Sequence, residues 1–236
     1  MAFCLDYAKI ACAAYHTKTN QYYSEPPGHM VDDWIVQKWE TGTLFGNGFQ
    51  GGIWQNDTDV VVGCCGTNPG QIGKFFSDIS ADIKLTLRIL PNQATSARQM
   101  VKLAKSLAKG RRVSVTGHSL GGGLSQIVAI WESVPFVSFN APAMKSAIQA
   151  AKFNIAKPQM MARSIQTAGN IGNTPGLNFR INGDVVSSKL LGDHIGTIVE
   201  LTNPKAFYKG SAHAASNCWQ AVMDTDWAFI DPFEAL

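Results

Sequence analysis

The sequence predicts an α/β fold, a mainly parallel β-sheet covered by helices on both faces. Three observations carry that expectation. From Ala94 onward, short apolar runs of strand character alternate with stretches of helical periodicity, the order expected of a parallel sheet with crossover helices. The composition is globular: 45% of the 236 residues are hydrophobic and 16% charged, with 22 Gly and 10 Pro, which excludes disorder, collagen and coiled coil. Finally, Gly117-His118-Ser119-Leu120-Gly121-Gly122 forms a glycine-rich turn directly after a strand-like run and directly before a helical one. The length suits one domain spanning residues 1–236.

The elements follow in order. Phe3, Tyr7, Ile10, Ala11 and Ala14 have the spacing of an amphipathic N-terminal helix. Asp6 and Lys9 interrupt what would be an apolar leader segment, and no basic stretch precedes it, so this is not read as a cleaved signal peptide. No apolar run reaches the roughly 18 residues of a bilayer span. The expected location is therefore the cytoplasm, or outside the cell by a leaderless route. A Pro/Gly-rich stretch (Pro26, Pro27, Gly28) leads into polar and aromatic residues up to about position 48. Phe49–Trp54 and Val60–Cys64 flank the turn formers Gln55-Asn56-Asp57 and read as a hairpin. Ala94–Ala108 carries Ala97, Met100, Val101, Ala104 and Leu107 at helical spacing and is closed by Gly110. Arg112–Thr116 is a strand, Leu120–Trp131 a helix, and Pro135–Phe139, Asn178–Asn182 and Thr197–Leu201 are further strands. A last helix is expected over Ser216–Trp227.

Between two of these strands, Met144–Gly176 is longer than a plain crossover helix needs. It has two readings: a crossover helix with a loose connection, or a cap over an acyl-binding cleft. Met160 and Met161 are the candidate substrate-binding residues on the second reading, because thioether side chains adapt to irregular apolar ligands.

Charge and cysteine content exclude other classes. The formal net charge is +3, and no basic run exceeds Arg111-Arg112, so a nucleic-acid partner is not expected. Cys4, Cys12, Cys64, Cys65 and Cys218 form no CxxC pair and have no histidine at zinc-like spacing, so no metal is expected. An odd count without a leader fits reduced thiols. Cys64-Cys65, at the end of an apolar strand, reads as small buried filler.

Most of the chemistry sits in Gly117–Gly121, which satisfies G-x-S-x-G at a strand-to-helix junction. A serine on so sharp a turn projects its hydroxyl above the sheet edge, while small flanking residues avoid clashes between turn, strand and helix. The helix N-terminus then directs free N–H groups and partial positive charge toward the place where an oxyanion forms. Ser119 is the candidate nucleophile.

The run VSVTGHSLGGGLSQIVA resembles the nucleophile elbow of the class 3 (fungal-type) lipases of the α/β-hydrolase fold. Upstream, Val60-Val-Val-Gly-Cys-Cys-Gly-Thr67 with Phe75-Phe-Ser-Asp78 is similar to that family's strand ending in Phe-Arg-Gly-Thr/Ser and its following Trp-x-x-Asp. Ser138-Phe-Asn-Ala-Pro142 and Asn182-Gly-Asp-Val-Val186 are weaker matches in the same order. The departure is Cys65, where the family carries Arg. The resemblance implies an α/β-hydrolase-like fold and oxyanion donors at Thr67 and at the backbone N–H of Leu120.

A serine needs a histidine to take its proton, and the histidine needs an acid to fix its tautomer. The hydrolase chain order is Ser, acid, His. After Ser119 the histidines are His194 and His213. His194 precedes strand Thr197–Leu201 and falls at the wrong end of it, whereas His213 follows it at the serine's edge. Asp184 follows strand Asn178–Asn182 at that same edge. Asp193 shares the fault of His194, while Asp78 and Asp82 precede the serine. Ser119, Asp184 and His213 are therefore the candidate triad, and His118 is read as structural.

These residues imply a serine carboxylic-ester hydrolase working through an acyl-enzyme without metal or organic cofactor. The resemblance implies a lipid ester, acylglycerol or phospholipid, met at a transient membrane-surface contact. A membrane-attacking effector is compatible with so compact a domain. A thioesterase or acyltransferase with the same triad, or a non-catalytic lipid- or protein-binding domain, stays open. The sequence names no protein partner.

Overall fold

The computed structural model describes residues 1–15, 30–31, 33–40, 48–66, 92–188, 192–202 and 212–236. Its strands are β1 (Met30–Val31), β2 (Trp34–Glu40), β3 (Gly51–Gln55), β4 (Asp59–Cys64), β5 (Arg112–His118), β6 (Phe136–Phe139), β7 (Gly176–Ile181) and β8 (Thr197–Leu201). They pair in chain order in one sheet. β1 to β4 are antiparallel neighbours, whereas β4 to β8 run parallel. Among the described residues the helices are α1 (Cys4–Ala13), α2 (Gln93–Leu107), α3 (Leu120–Glu132), α4 (Lys145–Ala151), α5 (Pro158–Gln166) and α6 (Ala215–Met223).

The pleat sorts the strand residues onto two cores. Along β4, Val60, Val62 and Cys64 face α2 and α3, while Val61 and the following Cys65 face α1 and α6. On β6, Phe136 turns to the first side and Val137 and Phe139 to the second. α1 buries Tyr7, Ile10, Ala11 and Ala14, as its spacing requires, and the Tyr7 hydroxyl meets Ser114 Oγ on β5 at 2.8 Å. The hairpin turn between β3 and β4 is closed by Asn56, whose side-chain oxygen accepts the N–H groups of Thr58 and Asp59 at 3.0 and 2.8 Å. All five cysteines are buried, and burial pushes the Cys64 thiol up to about 12.

Beyond Leu120, α3 is buried along its whole length, and a helix that is apolar all round belongs inside. Its C-terminal end carries Glu132, a carboxylate at the end of the helix dipole where negative charge is unfavourable. Three cations compensate: Arg98 of α2 at 2.6 Å, Arg163 of α5 at 3.1 Å and Lys105 of α2 at 3.6 Å. Burial works to raise the Glu132 pKa, but these cations outweigh it and hold the carboxyl below its ordinary value.

One sequence expectation changes. The polar and aromatic stretch before position 48 contains β2, a seven-residue strand the sequence reading passes over. A register shift between Val36 and Lys38 breaks the two-residue alternation that would have marked it. The Met144–Gly176 segment, read above either as a crossover helix with a loose connection or as a cap, holds α4 and α5. Met144 packs beside Gly123, and Met160, 9% exposed, belongs to the core cluster that includes Ala97, Met100, Leu124 and Ile127. Arg163 then bonds the Trp131 carbonyl and Glu132 at the end of α3 remote from Ser119. Methionine content alone does not distinguish a cleft wall from core packing.

Candidate active site

Ser119 joins β5 to α3 with φ 57° and ψ −130°, a sparsely populated conformation for an L-residue that costs about 1–3 kcal/mol. The surrounding packing enforces it. Its N–H donates to the Phe139 carbonyl at 3.0 Å, and its carbonyl accepts the Gly123 N–H at 3.1 Å. A Cβ on Gly117 would overlap the Gly121 carbonyl, and one on Gly121 would overlap the Cys64 carbonyl, so backbone meets backbone on both sides of the turn. Leu120 is the first residue of α3, so its N–H belongs to the electropositive start of that helix.

Asp184 follows β7 through Asn182-Gly183, where Gly183 adopts φ 90° and the Asp184 N–H closes the turn on the Ile181 carbonyl at 3.0 Å. Its Oδ1 lies 2.8 Å from His213 Nδ1. Its Oδ2 accepts both the backbone N–H of Ser187 at 2.9 Å and the Ser187 hydroxyl at 2.5 Å. Burial favours the neutral acid, but the His213 bond and charge and the two Ser187 bonds outweigh it, and the carboxyl is held below its ordinary pKa.

His213 Nε2 stands 2.8 Å from Ser119 Oγ. A carboxylate only accepts, so Nδ1 of His213 carries the proton and Nε2 presents its lone pair to the serine hydroxyl. Ser119, His213 and Asp184 thus form one hydrogen-bonded line, each of them under 8% exposed. Two successive carbonyls of the Ala212-His213 segment are held by side chains. Asn140 Nδ2 donates to the Ala212 carbonyl at 2.8 Å, and its Oδ1 accepts the Ile181 N–H at 2.8 Å. His118 Nε2 reaches the His213 carbonyl at 2.5 Å, while its Nδ1 faces the Tyr15 hydroxyl at 2.6 Å. Burial first, and the charge of His213 second, push the His118 pKa down to about 3.

Thr67 and the Phe75–Asp78 motif lie outside the described residues. Met160 packs in the core cluster with Met100 and Leu124, on α5, which also carries Met161. His194 Nε2 lies 3.1 Å from the carbonyl of Ser187, the residue whose hydroxyl bonds Asp184. Sequence reasoning missed Ser187, Asn140 and Tyr15. Ser187 had a local signal, since an aspartate three residues before a serine is a turn pattern in which the carboxylate takes the later N–H. Asn140 showed only as an asparagine at a strand end, where its φ of 44° suits that residue type. Tyr15 had none, its partner lying 103 residues away.

A profile of the Tle-like phospholipase domain matches residues 7–197. The chain belongs to that family. An extracellular phospholipase A1 of Serratia liquefaciens is 34% identical over 96 residues, which are 41% of this chain and 28% of that protein. The match thus spans under a third of the relative's own length. Among solved structures, the Rhizomucor miehei lipase in its propeptide complex superposes with a TM-score of 0.52 at 13% identity, covering 95% of this chain and 79% of that one. The Lip2 lipase of Yarrowia lipolytica gives 0.50 at 13% identity, covering 92% and 88%. A triacylglycerol lipase of Penicillium expansum gives 0.50 at 17%, covering 84% and 77%. At these identities the likeness is one of fold, and the fold is α/β-hydrolase-like. No helix among the described residues is long and apolar enough to cross a membrane.

Proposed function

We propose that this protein is a serine hydrolase that cleaves acyl esters of phospholipids through a covalent acyl-enzyme on Ser119. The observation that carries the reading is the line Ser119 Oγ, His213 Nε2, His213 Nδ1, Asp184 Oδ1, with both links at 2.8 Å. In the first half-reaction Ser119 Oγ attacks the ester carbonyl while His213 Nε2 takes its proton. The tetrahedral oxyanion is held by the Leu120 N–H at the start of α3 and, on the family resemblance, by Thr67. His213 then protonates the departing alcohol oxygen as the C–O bond breaks, leaving the acyl group on Ser119. In the second half-reaction, water gives a proton to His213 as it attacks the acyl carbon, and His213 returns that proton to Ser119 Oγ as the acyl–oxygen bond breaks, releasing the fatty acid and restoring the serine. Asp184 keeps Nδ1 protonated and stabilises the imidazolium. Family membership supports the phospholipid as the acyl donor.

A fluorophosphonate probe tests the nucleophile, and a substrate panel tests the acyl donor. The probe is expected to modify the peptide containing Ser119 in the wild type and to leave Ser119→Ala unlabelled. Phosphatidylcholine and phosphatidylglycerol vesicles should release fatty acid faster than triolein emulsion or acyl-CoA. Absence of label in the folded protein would remove the serine mechanism. Turnover of acyl-CoA alone would keep the mechanism and move the substrate to thioesters. Whether the protein acts as a membrane-attacking effector is read separately, by comparing growth when it is expressed in the cytoplasm and in the periplasm.

A further inference from the structure

The histidine beside the nucleophile has a task that the reaction itself does not give it. His118 is 3% exposed, and its ring centroid lies 4.8 Å from that of His213. A carbonyl only accepts, so the 2.5 Å contact with the His213 carbonyl requires the proton on His118 Nε2. Nδ1 must then accept, and the Tyr15 hydroxyl donates to it at 2.6 Å. The approach of Tyr15 depends on Gly66, because a Cβ there would strike the Tyr15 hydroxyl and the His118 carbonyl. The elbow that bears Ser119 thereby also grips the backbone of the residue bearing its base.

We propose that Tyr15 and His118 are positioning residues. Tyr15 sets the tautomer of His118, and His118 donates to the His213 carbonyl, fixing the distance between His213 Nε2 and Ser119 Oγ. The Asn140 bond to the Ala212 carbonyl anchors the preceding residue, so the segment is held at two successive peptide groups. Release of one anchor lets the His213 backbone drift, and a misplacement of about 1 Å costs about 100-fold in rate even when the altered residue does not touch the substrate. The proposal rests on the reading of Ser119, His213 and Asp184 as the catalytic line.

The test compares kcat and KM of His118→Leu, His118→Gln and Tyr15→Phe on phosphatidylglycerol vesicles, with Ser119→Ala in the same series and thermal melting as the fold control. His118→Leu should lose about 100-fold in kcat with KM within about twofold, and should slow fluorophosphonate labelling of Ser119 in parallel. His118→Gln can place an amide N–H near the former Nε2 and should recover most of that loss. Tyr15→Phe should lose about fivefold, the share of a single hydrogen bond. In a Tyr15→Phe/His118→Leu double variant, kcat should match that of His118→Leu alone, since the hydroxyl acts only through the ring. Wild-type kcat in His118→Leu, or a Gln variant no faster than the Leu variant, would overturn the proposal and leave His118 as core packing. If His118→Leu does not melt cooperatively, the Gln and Phe variants decide by the same criteria. Full activity in Ser119→Ala would instead overturn the catalytic line itself, which separates the two failures.

Discussion

The Ser119 elbow and the Ala212-His213 segment reach the same point in space by different physical means. The elbow is held by exclusion: glycines whose backbones touch neighbouring backbone, and a serine forced into a conformation that an isolated chain would leave. The base-bearing segment is held by attachment, with the side chains of Asn140 and His118 on two successive carbonyls and Asp184 on the ring. Steric exclusion is local, stiff and intolerant of any added atom. Attachment by hydrogen bonds is distributed over distant parts of the chain, and each bond contributes about 1 kcal/mol. Damage to the elbow should therefore be abrupt, and damage to the base support graded.

The largest effects test whether both regions serve one reaction. Ser119→Ala should reduce phospholipid turnover by roughly 10⁴ to 10⁶ while leaving the melting temperature nearly unchanged. His213→Ala should cost nearly as much, and the double variant little more, because residues acting as one unit are not additive. Steady-state rates on vesicles check all three. Additive losses would mean that the two side chains contribute to separate steps.

Next comes the elbow's own stiffness. Gly121→Ala introduces a methyl group onto the Cys64 carbonyl, where the obstacle is backbone with no rotamer to yield. The expected cost is about 3 kcal/mol or more, a fall in melting temperature of roughly 10 °C, with activity lost as the turn is displaced. A soluble, fully active variant would show that the turn has room the packing does not reveal.

The same contrast explains what could be read from the sequence. The elbow was legible because its constraints lie within six residues: strand, Gly-x-Ser-x-Gly, helix. The meeting of Asp184 and His213 with Ser119 was legible at one remove, because a parallel sheet puts the ends of β7 and β8 at the same edge as the end of β5. Their supports were not. The His118 bond to the His213 carbonyl spans 95 residues and the Asn140 bond to Ala212 spans 72, and nothing local marks either partner. The packing of Met160 was hidden for the same reason, since an apolar side chain shows its face only once a neighbour is present. The 144–176 segment, read as either a crossover or a cap, includes a helix pinned by Arg163 to the Glu132 end of α3.

A smaller effect sharpens the account of His118. Tyr15, His213 and Asp184 face its ring, and the balance leaves it neutral down to a pKa of about 3, against an ordinary value near 6.5. Between those values the unfolded chain binds a proton that the folded chain refuses, so stability falls as pH is lowered from 6.5 toward 3. At pH 5 the deficit amounts to about 2 kcal/mol relative to pH 7. Urea unfolding at both pH values should show this drop in the wild type and a clearly smaller one in His118→Leu. The Asp184 carboxyl, with its depressed pKa, acts in a lower window: its contribution is intact above the ordinary carboxylate range and lost as pH falls through its folded value. Equal pH dependence in the two proteins would mean that His118 takes up its proton within the fold.

The smallest expected effect lies farthest along the chain of attachments. Asp184 Oδ2 is held twice by Ser187, through the backbone N–H and through the hydroxyl. Ser187→Ala removes only the second bond, so the carboxylate keeps one donor on Oδ2 and His213 on Oδ1. kcat should fall by about three- to tenfold, the equivalent of about 1 kcal/mol, with KM little changed. Loss of a bond to the charged form also raises the Asp184 pKa toward its ordinary value. His194→Ala acts one bond further out, through the Ser187 carbonyl, and should cost less still. If His194→Ala proved the more damaging of the two, the support of the acid would run through the backbone carbonyl of Ser187 and not through its hydroxyl. The acid loop would then be held, like the base, chiefly at its peptide groups.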